Sequence, residues 1–141
     1  MAGYSGTPLV QKLGIQPDHL VALVNAPKTF ARTLGPLPER VALHADLDGN
    51  DAFNVIVLFA PEHSELRRHF SACADRLVPN GGLWVAWPKK ASGVATDLTE
   101  DVVRTEGLAA GLVDNKICAV DDIWSGLRFV FRLKDRPRKK K

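Results

Sequence analysis

Three short runs of the sequence are apolar almost without interruption, and they constrain the fold more than any other feature. The runs are Leu20–Val24, Asn54–Ala60 and Leu83–Trp87. A strand with one face in water alternates apolar and polar side chains, whereas a strand buried on both faces is apolar throughout. The runs therefore predict a mostly parallel sheet with helices on both sides, and Arg40–Ala45 is a shorter candidate strand.

The segment between Pro61 and Leu77 changes to a helical period. Leu66, Phe70, Cys73 and Leu77 follow one another at intervals of four, three and four residues. This spacing is typical of an amphipathic helix with one face on a sheet. Asn80-Gly81-Gly82 then predicts a left-handed stop after the helix.

Three other segments favour helices. A short helix is expected from Thr7-Pro8 to about Leu13, and two helical turns over Lys28–Leu34. The residues Asp97-Leu98-Thr99-Glu100 form a capping-box pattern with Asp97 in the cap position. That pattern predicts a helix to about Ala110.

Two strands are expected after this helix, over Leu112–Val120 and Trp124–Leu133. The first should be broken near Asp114-Asn115, and the second alternates apolar and polar side chains, which is typical of a half-exposed antiparallel strand. Their link is too short for a crossover, so they should pair as a hairpin. Residues 1–133 are thus expected to form a single three-layer α/β domain of Rossmann-like type.

The basic charge of the chain is concentrated at its C-terminus. The last ten residues hold seven of the 19 Lys and Arg residues and one of the 16 Asp and Glu residues, so the rest of the chain is net acidic. Residues 134–141 are predicted to be a disordered tail. This tail could attract nucleic acid weakly, or serve only as a solubilising end. The candidate nucleic-acid contacts are Arg136, Arg138, Lys139, Lys140 and Lys141.

Metal, redox and membrane functions find no support in the sequence. Cys73 and Cys118 lack CxxC spacing, and the four histidines lack metal-ligand spacing. We therefore expect two reduced thiols and no metal site. The absence of a long apolar segment and of a basic-then-apolar leader leads us to expect a cytoplasmic protein without membrane contact.

Several motifs resemble a known fold family. The carrying segments are NVIVLFAP, PNGGLWVAW and AGLVDNKICAVDDIWSGLRFVFR. Over about residues 54–133 they resemble the second half of the Rossmann-like fold of class I methyltransferases. The resemblance implies a truncated form of that fold with a C-terminal antiparallel hairpin. More narrowly, GYSGTPL, KLGI, LWVAWPKKASG, DLTE and WSGL resemble a small bacterial protein family of unknown function, which implies no particular activity.

The loop after the first strand departs from the methyltransferase pattern. Glycines in such a loop let the backbone approach a bound nucleotide closely. Here the loop is Asn25-Ala26-Pro27-Lys28, which has no glycine and includes a proline without a backbone donor. The first half is also one strand–helix unit short. We therefore predict no cofactor, and S-adenosylmethionine in particular is disfavoured.

Ligands of open parallel sheets bind beyond the carboxyl ends of the strands, where the connections reverse direction. This places the predicted crevice between the loops Asn25–Lys28 and Pro61–His63, with the turn after Trp87 as a neighbouring wall. The lysines could instead be solvated loop residues, and Trp87 a core residue. The candidate ligand-binding residues are Asn25, Lys28, His63, Trp87, Lys89 and Lys90, of which the four cations would form one pocket for a phosphate or carboxylate.

No catalytic residue is predicted, because no nucleophile–base pair can be recognised. We expect a non-catalytic methyltransferase-like domain that binds a small anionic ligand or a protein partner. Two alternatives remain open. One is an active transferase with a degenerate S-adenosylmethionine loop, and the other is a nucleic-acid accessory protein that acts through its basic tail.

Overall fold

The computed structural model describes residues 7–47 and 49–133. The helices are α1 (Leu9–Lys12), α2 (Phe30–Leu34), α3 (His63–Asp75) and α4 (Glu100–Ala109), with a short 3-10 turn over Lys90–Ser92. The strands are β1 (Leu20–Val24), β2 (Ala42–His44), β3 (Phe53–Phe59), β4 (Leu77–Pro88), β5 (Leu112–Ala119) and β6 (Trp124–Phe131). The predictions for residues 134–141, including the basic tail, concern residues outside the described ranges.

The strands form one six-stranded sheet in the order β2-β1-β3-β4-β6-β5. The pairs β1–β2, β1–β3 and β3–β4 are parallel, whereas β6 runs antiparallel to both β4 and β5. The mostly parallel sheet and the C-terminal antiparallel hairpin are thus confirmed. The chain passes from β1 to β2 on one side and then crosses to β3 on the other side of β1. The direction of the connections therefore reverses at the boundary between β1 and β3.

Strands β1, β3 and β4 are buried on both faces of the sheet, which explains their uninterrupted apolar runs. On one face, Leu66, Phe70 and Cys73 of α3 pack against β3 and β4, as the helical spacing predicted. On the other face, α1 and α2 cover the sheet. There the indole Nε1 of the fully buried Trp84 donates to the carbonyl of Leu13 at 3.0 Å, so α1 is tied to the centre of the sheet.

The predicted stop at Asn80-Gly81-Gly82 is wrong. Helix α3 ends at Asp75, and the three residues lie inside β4 with no left-handed φ at either glycine. A Cβ at Gly81 would lie 2.8 Å from the carbonyl oxygen of Asn54. Glycine is needed here because two strands approach closely, not because a helix ends.

The predicted cap of α4 is also wrong by two residues. Thr99 caps this helix, and its Oγ1 accepts a hydrogen bond from the backbone N–H of Val102 at 3.2 Å. Asp97 instead accepts from the backbone N–H of His63 at 2.8 Å. Its carboxylate therefore satisfies the start of α3, whose own N-cap residue Glu62 makes no side-chain cap.

Strand β4 begins at Leu77, six residues before the predicted Leu83–Trp87, so Leu77 starts a strand and does not belong to the buried face of α3 as predicted. The remaining elements differ from the predicted ones only at their ends. Helix α2 begins at Phe30 rather than Lys28, and β2 covers the centre of the predicted Arg40–Ala45. Strand β5 is continuous rather than broken, and its pairing with β6 shifts register between Asp114 and Lys116, where the break was predicted. In the described ranges, no helix has the length and apolar character needed to cross a bilayer.

Candidate functional site

The carboxyl ends of the parallel strands meet at one edge of the sheet, where the chain leaves β1 at Val24, β3 at Phe59 and β4 at Pro88. Directly after β1, the exposed Asn25 adopts φ of 60°. Asparagine tolerates this left-handed conformation better than most residues that carry a Cβ. The loop without glycine therefore makes a left-handed turn, and it does so with a side chain present.

A cavity of about 510 Å³ lies at the carboxyl end of β4. The indole of Trp87 borders it and is only 5% exposed. Lys89, half-buried, and Lys90, exposed, follow in the loop. Ser125, the cross-strand partner of Trp87, closes the side toward β6.

Hydrogen bonds hold the loop that forms the wall of this cavity. The backbone N–H of Lys89 donates to the carbonyl of Ile123 at 2.8 Å. Ser92 Oγ donates to the carbonyl of Lys89 at 2.7 Å and accepts from the N–H of Val94 at 3.1 Å. The lysine-bearing turn is thus positioned by the neighbouring hairpin and by its own serine.

The opposite wall joins the loop to the start of α4. Thr96 Oγ1 donates to the carbonyl of Pro61 at 2.7 Å, which ties this wall to the loop after β3. Glu100 also lines the cavity, but its carboxylate lies 2.6 Å from the guanidinium of Arg104. With that carboxylate paired to an arginine, the two lysines leave the cavity with a positive charge.

His63 points elsewhere. Its Nε2 lies 2.8 Å from a carboxylate oxygen of Glu106 on α4, and both side chains are partly buried. Arg67 approaches the same carboxylate at 3.8 Å. His63 therefore lines a separate cavity of about 280 Å³ between α3 and α4.

Lys28 lines a third cavity, also about 280 Å³, beside α2 and the end of β2. The structure thus brings together Trp87, Lys89 and Lys90, while Lys28 and His63 lie against other cavities. The predicted single pocket of four cations is wrong in its geometry. Ligand binding by each residue stays a prediction.

A polar cavity of about 300 Å³, which no sequence pattern predicted, lies at the opposite, amino edge of the sheet. Side chains from α1, β3, β5 and β6 line it, including Lys12, Asn54, Lys116 and Arg128. Metal binding finds no support in residues 7–47 and 49–133, where no three His, Cys, Asp or Glu side chains converge.

Comparisons with known proteins show the fold. No family model matches the chain, and no curated protein matches it. Among solved structures, the N-methyltransferase NodS from Bradyrhizobium japonicum is similar with a TM-score of 0.52 and 15% identity, covering 85% of this chain and 88% of NodS.

Some of the similar structures contain a bound ligand, including the following two. One is a Burkholderia thailandensis 1,6-didemethyltoxoflavin-N1-methyltransferase with S-adenosylhomocysteine, with a TM-score of 0.53 and 14% identity over 86% of this chain and 73% of that one. The other is Aeropyrum pernix fibrillarin with S-adenosylmethionine, with a TM-score of 0.51 and 13% identity over 91% and 70%. The chain therefore has a truncated form of the Rossmann-like fold of class I S-adenosylmethionine-dependent methyltransferases, as the sequence motifs implied.

Proposed function

We propose that this chain is a non-catalytic methyltransferase-like domain that binds a small anionic ligand in the cavity at the carboxyl end of β4. The observation that carries the proposal is the presence of Trp87, Lys89 and Lys90 around one cavity at the edge where open α/β sheets bind ligands. Its volume of about 510 Å³ suits a small molecule.

Each lining residue has a physical role in this proposal. The ammonium groups of Lys89 and Lys90 attract a phosphate or carboxylate as point charges. The buried indole of Trp87 and the side chain of Leu98 supply apolar surface for the remainder of the ligand. Because hydrogen bonds hold the loop before ligand arrives, little ordering is needed on binding.

Binding without methyl transfer is supported by the loop after β1. Pro27 has no backbone N–H to offer, and every residue from Asn25 to Lys28 carries a Cβ. These side chains hinder the close backbone approach that a glycine-rich loop allows. We therefore place the ligand at β4 rather than at β1.

The test compares wild-type protein with K89A/K90A in thermal-shift and calorimetric titrations against AMP, ATP, S-adenosylmethionine and S-adenosylhomocysteine. AMP or ATP, the two anionic compounds of this set, should bind, and the double variant should bind the nucleotide about tenfold more weakly or worse. The melting temperature without ligand should not fall, because neither ammonium group has a hydrogen-bond or ion-pair partner among the described residues. K28A is the matched control, since Lys28 lies on the same edge but in another cavity.

Equal affinities for K89A/K90A and wild type would refute the location of the site. R128Q is a second control. Arg128 lines the cavity at the opposite, amino edge of the sheet, so this substitution should leave ligand binding at Lys89 and Lys90 unchanged. Micromolar binding of S-adenosylmethionine that survives K89A/K90A would refute the non-catalytic proposal.

An active transferase is the second candidate, and Asn25 favours it. The left-handed turn at Asn25 supplies, without glycine, a sharp bend directly after β1. Incubation of the full chain with methyl-labelled S-adenosylmethionine and candidate acceptors tests this function. Turnover that is lost in N25V, with folding retained, would support the transferase over the binding domain.

A further inference from the structure

The amino-edge cavity combines positive charge with an absence of carboxylates. Its charged lining residues are Lys12, Lys116 and Arg128, and no acidic residue lines it within the described ranges. The cavity has a volume of about 300 Å³. The cavity lined by Trp87, Lys89 and Lys90 (the Trp87 cavity) lies at the other end of the strands, so the two cavities can be tested separately.

A register shift between β3 and β4 forms one side of this cavity. Phe53 is opposite Leu77 and Val55 is opposite Gly82, so the four residues 78–81 share Asn54 as their counterpart. The Oδ1 of Asn54 accepts from the backbone N–H of Leu20 at 2.8 Å. This bond orients the amide, and its Nδ2 donates to no partner within the described residues.

A second irregularity places two cations opposite each other. The β5–β6 pairing shifts at Asn115, after which Lys116 is the direct cross-strand partner of Arg128. Like charges directly opposite in an antiparallel pair are destabilising. Both side chains face the cavity, so their repulsion would be relieved by an anion bound there.

Arg128 lies over Gly82, where a Cβ would overlap its guanidinium. Burial lowers the pKa of this arginine. Within the described part of the chain, its guanidinium makes one hydrogen bond, in which Nη1 donates to Oδ1 of Asn115 at 3.4 Å, and no described carboxylate forms an ion pair with it. A partly buried guanidinium without a counterion is an unusual arrangement, because buried charges are normally paired.

We propose that the amino-edge cavity is a binding site for a phosphate group. Arg128 and Lys116 would supply the positive charge, and Nδ2 of Asn54 would supply a neutral donor. Arg128 suits this role because its planar donors match two phosphate oxygens at once. The ligand is either inorganic phosphate or a small phosphate monoester, and the site is independent of the ligand proposed for the Trp87 cavity.

The test is a titration of the ¹⁵N-labelled full chain with inorganic phosphate, in which NMR measures the chemical shift changes. A parallel titration with sodium chloride of matched ionic strength is the reference. Saturable shifts are expected at the backbone of Gly81 and Gly82 and at the side-chain amide of Asn54. R128Q should weaken the apparent affinity about tenfold or more. R32Q, the same substitution at an exposed arginine of α2 that does not line the cavity, is the matched control and should leave the affinity unchanged.

A second variant keeps all charges in place. G82A should displace the guanidinium of Arg128, whose flexible end can move at little cost to folding, and should weaken phosphate binding with it. Shifts that do not saturate, or that are the same in wild type, R128Q and G82A, would overturn the proposal. Chemical shift changes confined to Lys89 and Lys90 would also overturn it, because they would show that phosphate binds in the Trp87 cavity instead.

A parallel titration with glycerol 3-phosphate distinguishes the two sources of the phosphate group. If glycerol 3-phosphate binds more tightly than inorganic phosphate, and R128Q causes the same loss of affinity, the site is one for a phosphate monoester. Weaker binding of glycerol 3-phosphate than of inorganic phosphate, with the same loss of affinity in R128Q, supports a site for free phosphate. Binding of neither compound overturns both forms.

Discussion

Lys116 and Arg128 face each other across the antiparallel pair β5–β6, on the same side of the sheet. The arrangement follows from one extra residue, Asn115, in β5. Without this bulge, the register would place a different residue opposite Arg128. The fold thus holds two cations together at a cost in stability.

Replacing Lys116 by glutamate should remove this cost. We expect K116E to have a higher free energy of unfolding than K116Q, by about 0.5 kcal/mol at low salt, because opposite charges then face each other. Both variants lose the bond from Lys116 Nζ to the carbonyl of Lys12, so their difference isolates the charge. Urea denaturation measures it, and the gain should shrink at high salt. A K116E variant that is no more stable than K116Q would show that residue 116 does not interact electrostatically with Arg128.

Gly107 allows α4 to approach β6 closely. A Cβ there would overlap the ring of Phe129, which is fully buried. We expect G107A to lower the free energy of unfolding by about 1–3 kcal/mol through overpacking, although alanine is the better helix former by about 1 kcal/mol. T105A, at an exposed position of the same helix, should change it by less than about 0.5 kcal/mol. A stabilised G107A would mean that the helix can move away from the sheet.

Asp97 connects two helices that are distant in sequence. Because its carboxylate accepts from the first N–H of α3, we expect D97A to lower the free energy of unfolding by about 1 kcal/mol. D97N should retain most of the stability, since its Oδ1 can accept the same bond. Denaturant titrations of the two variants test this. Equal losses in both would show that charge, rather than the hydrogen bond, is responsible.

The sheet was predictable because its strands are buried on both faces. A run such as Leu20–Val24 must be apolar throughout when α2 lies on one side and α3 on the other. The spacing of Leu66, Phe70 and Cys73 similarly predicts which face of α3 is buried. These signals are local, so a single sequence contains them.

The errors concern residues whose role depends on a distant partner. Gly81 sits in a pattern that also ends helices, and only its contact with Asn54 distinguishes the two roles. His63 follows a strand as a ligand-binding residue would, but Glu106 determines its orientation. Lys89 and Lys90 adjoin Trp87 in the sequence, so their proximity required no knowledge of the fold. The amino-edge cavity joins five separate segments, and no local signal predicts it.

The thiol of Cys73 provides a prediction for alkaline pH. Burial, together with the nearby charge of Asp46, raises its pKa from 9.0 to about 12. The folded protein therefore retains this proton between pH 9 and pH 12, whereas the unfolded chain loses it. Stability from this group is fully present below pH 9 and falls as the pH rises to about 12, by up to about 1.4 kcal/mol per pH unit.

The measurement is the difference in free energy of unfolding between wild type and C73A at several pH values from 8 to about 11. C73A should be less stable at pH 8, because a cavity replaces the buried sulfur. This difference in free energy of unfolding should become smaller as the pH rises, because only the wild type has the Cys73 thiol and loses the stability linked to its proton. Since lysines and the tyrosine titrate in both proteins, their contribution cancels in the difference. A difference that stays constant over this range would show that the thiol ionises as readily in the folded protein as in the unfolded chain.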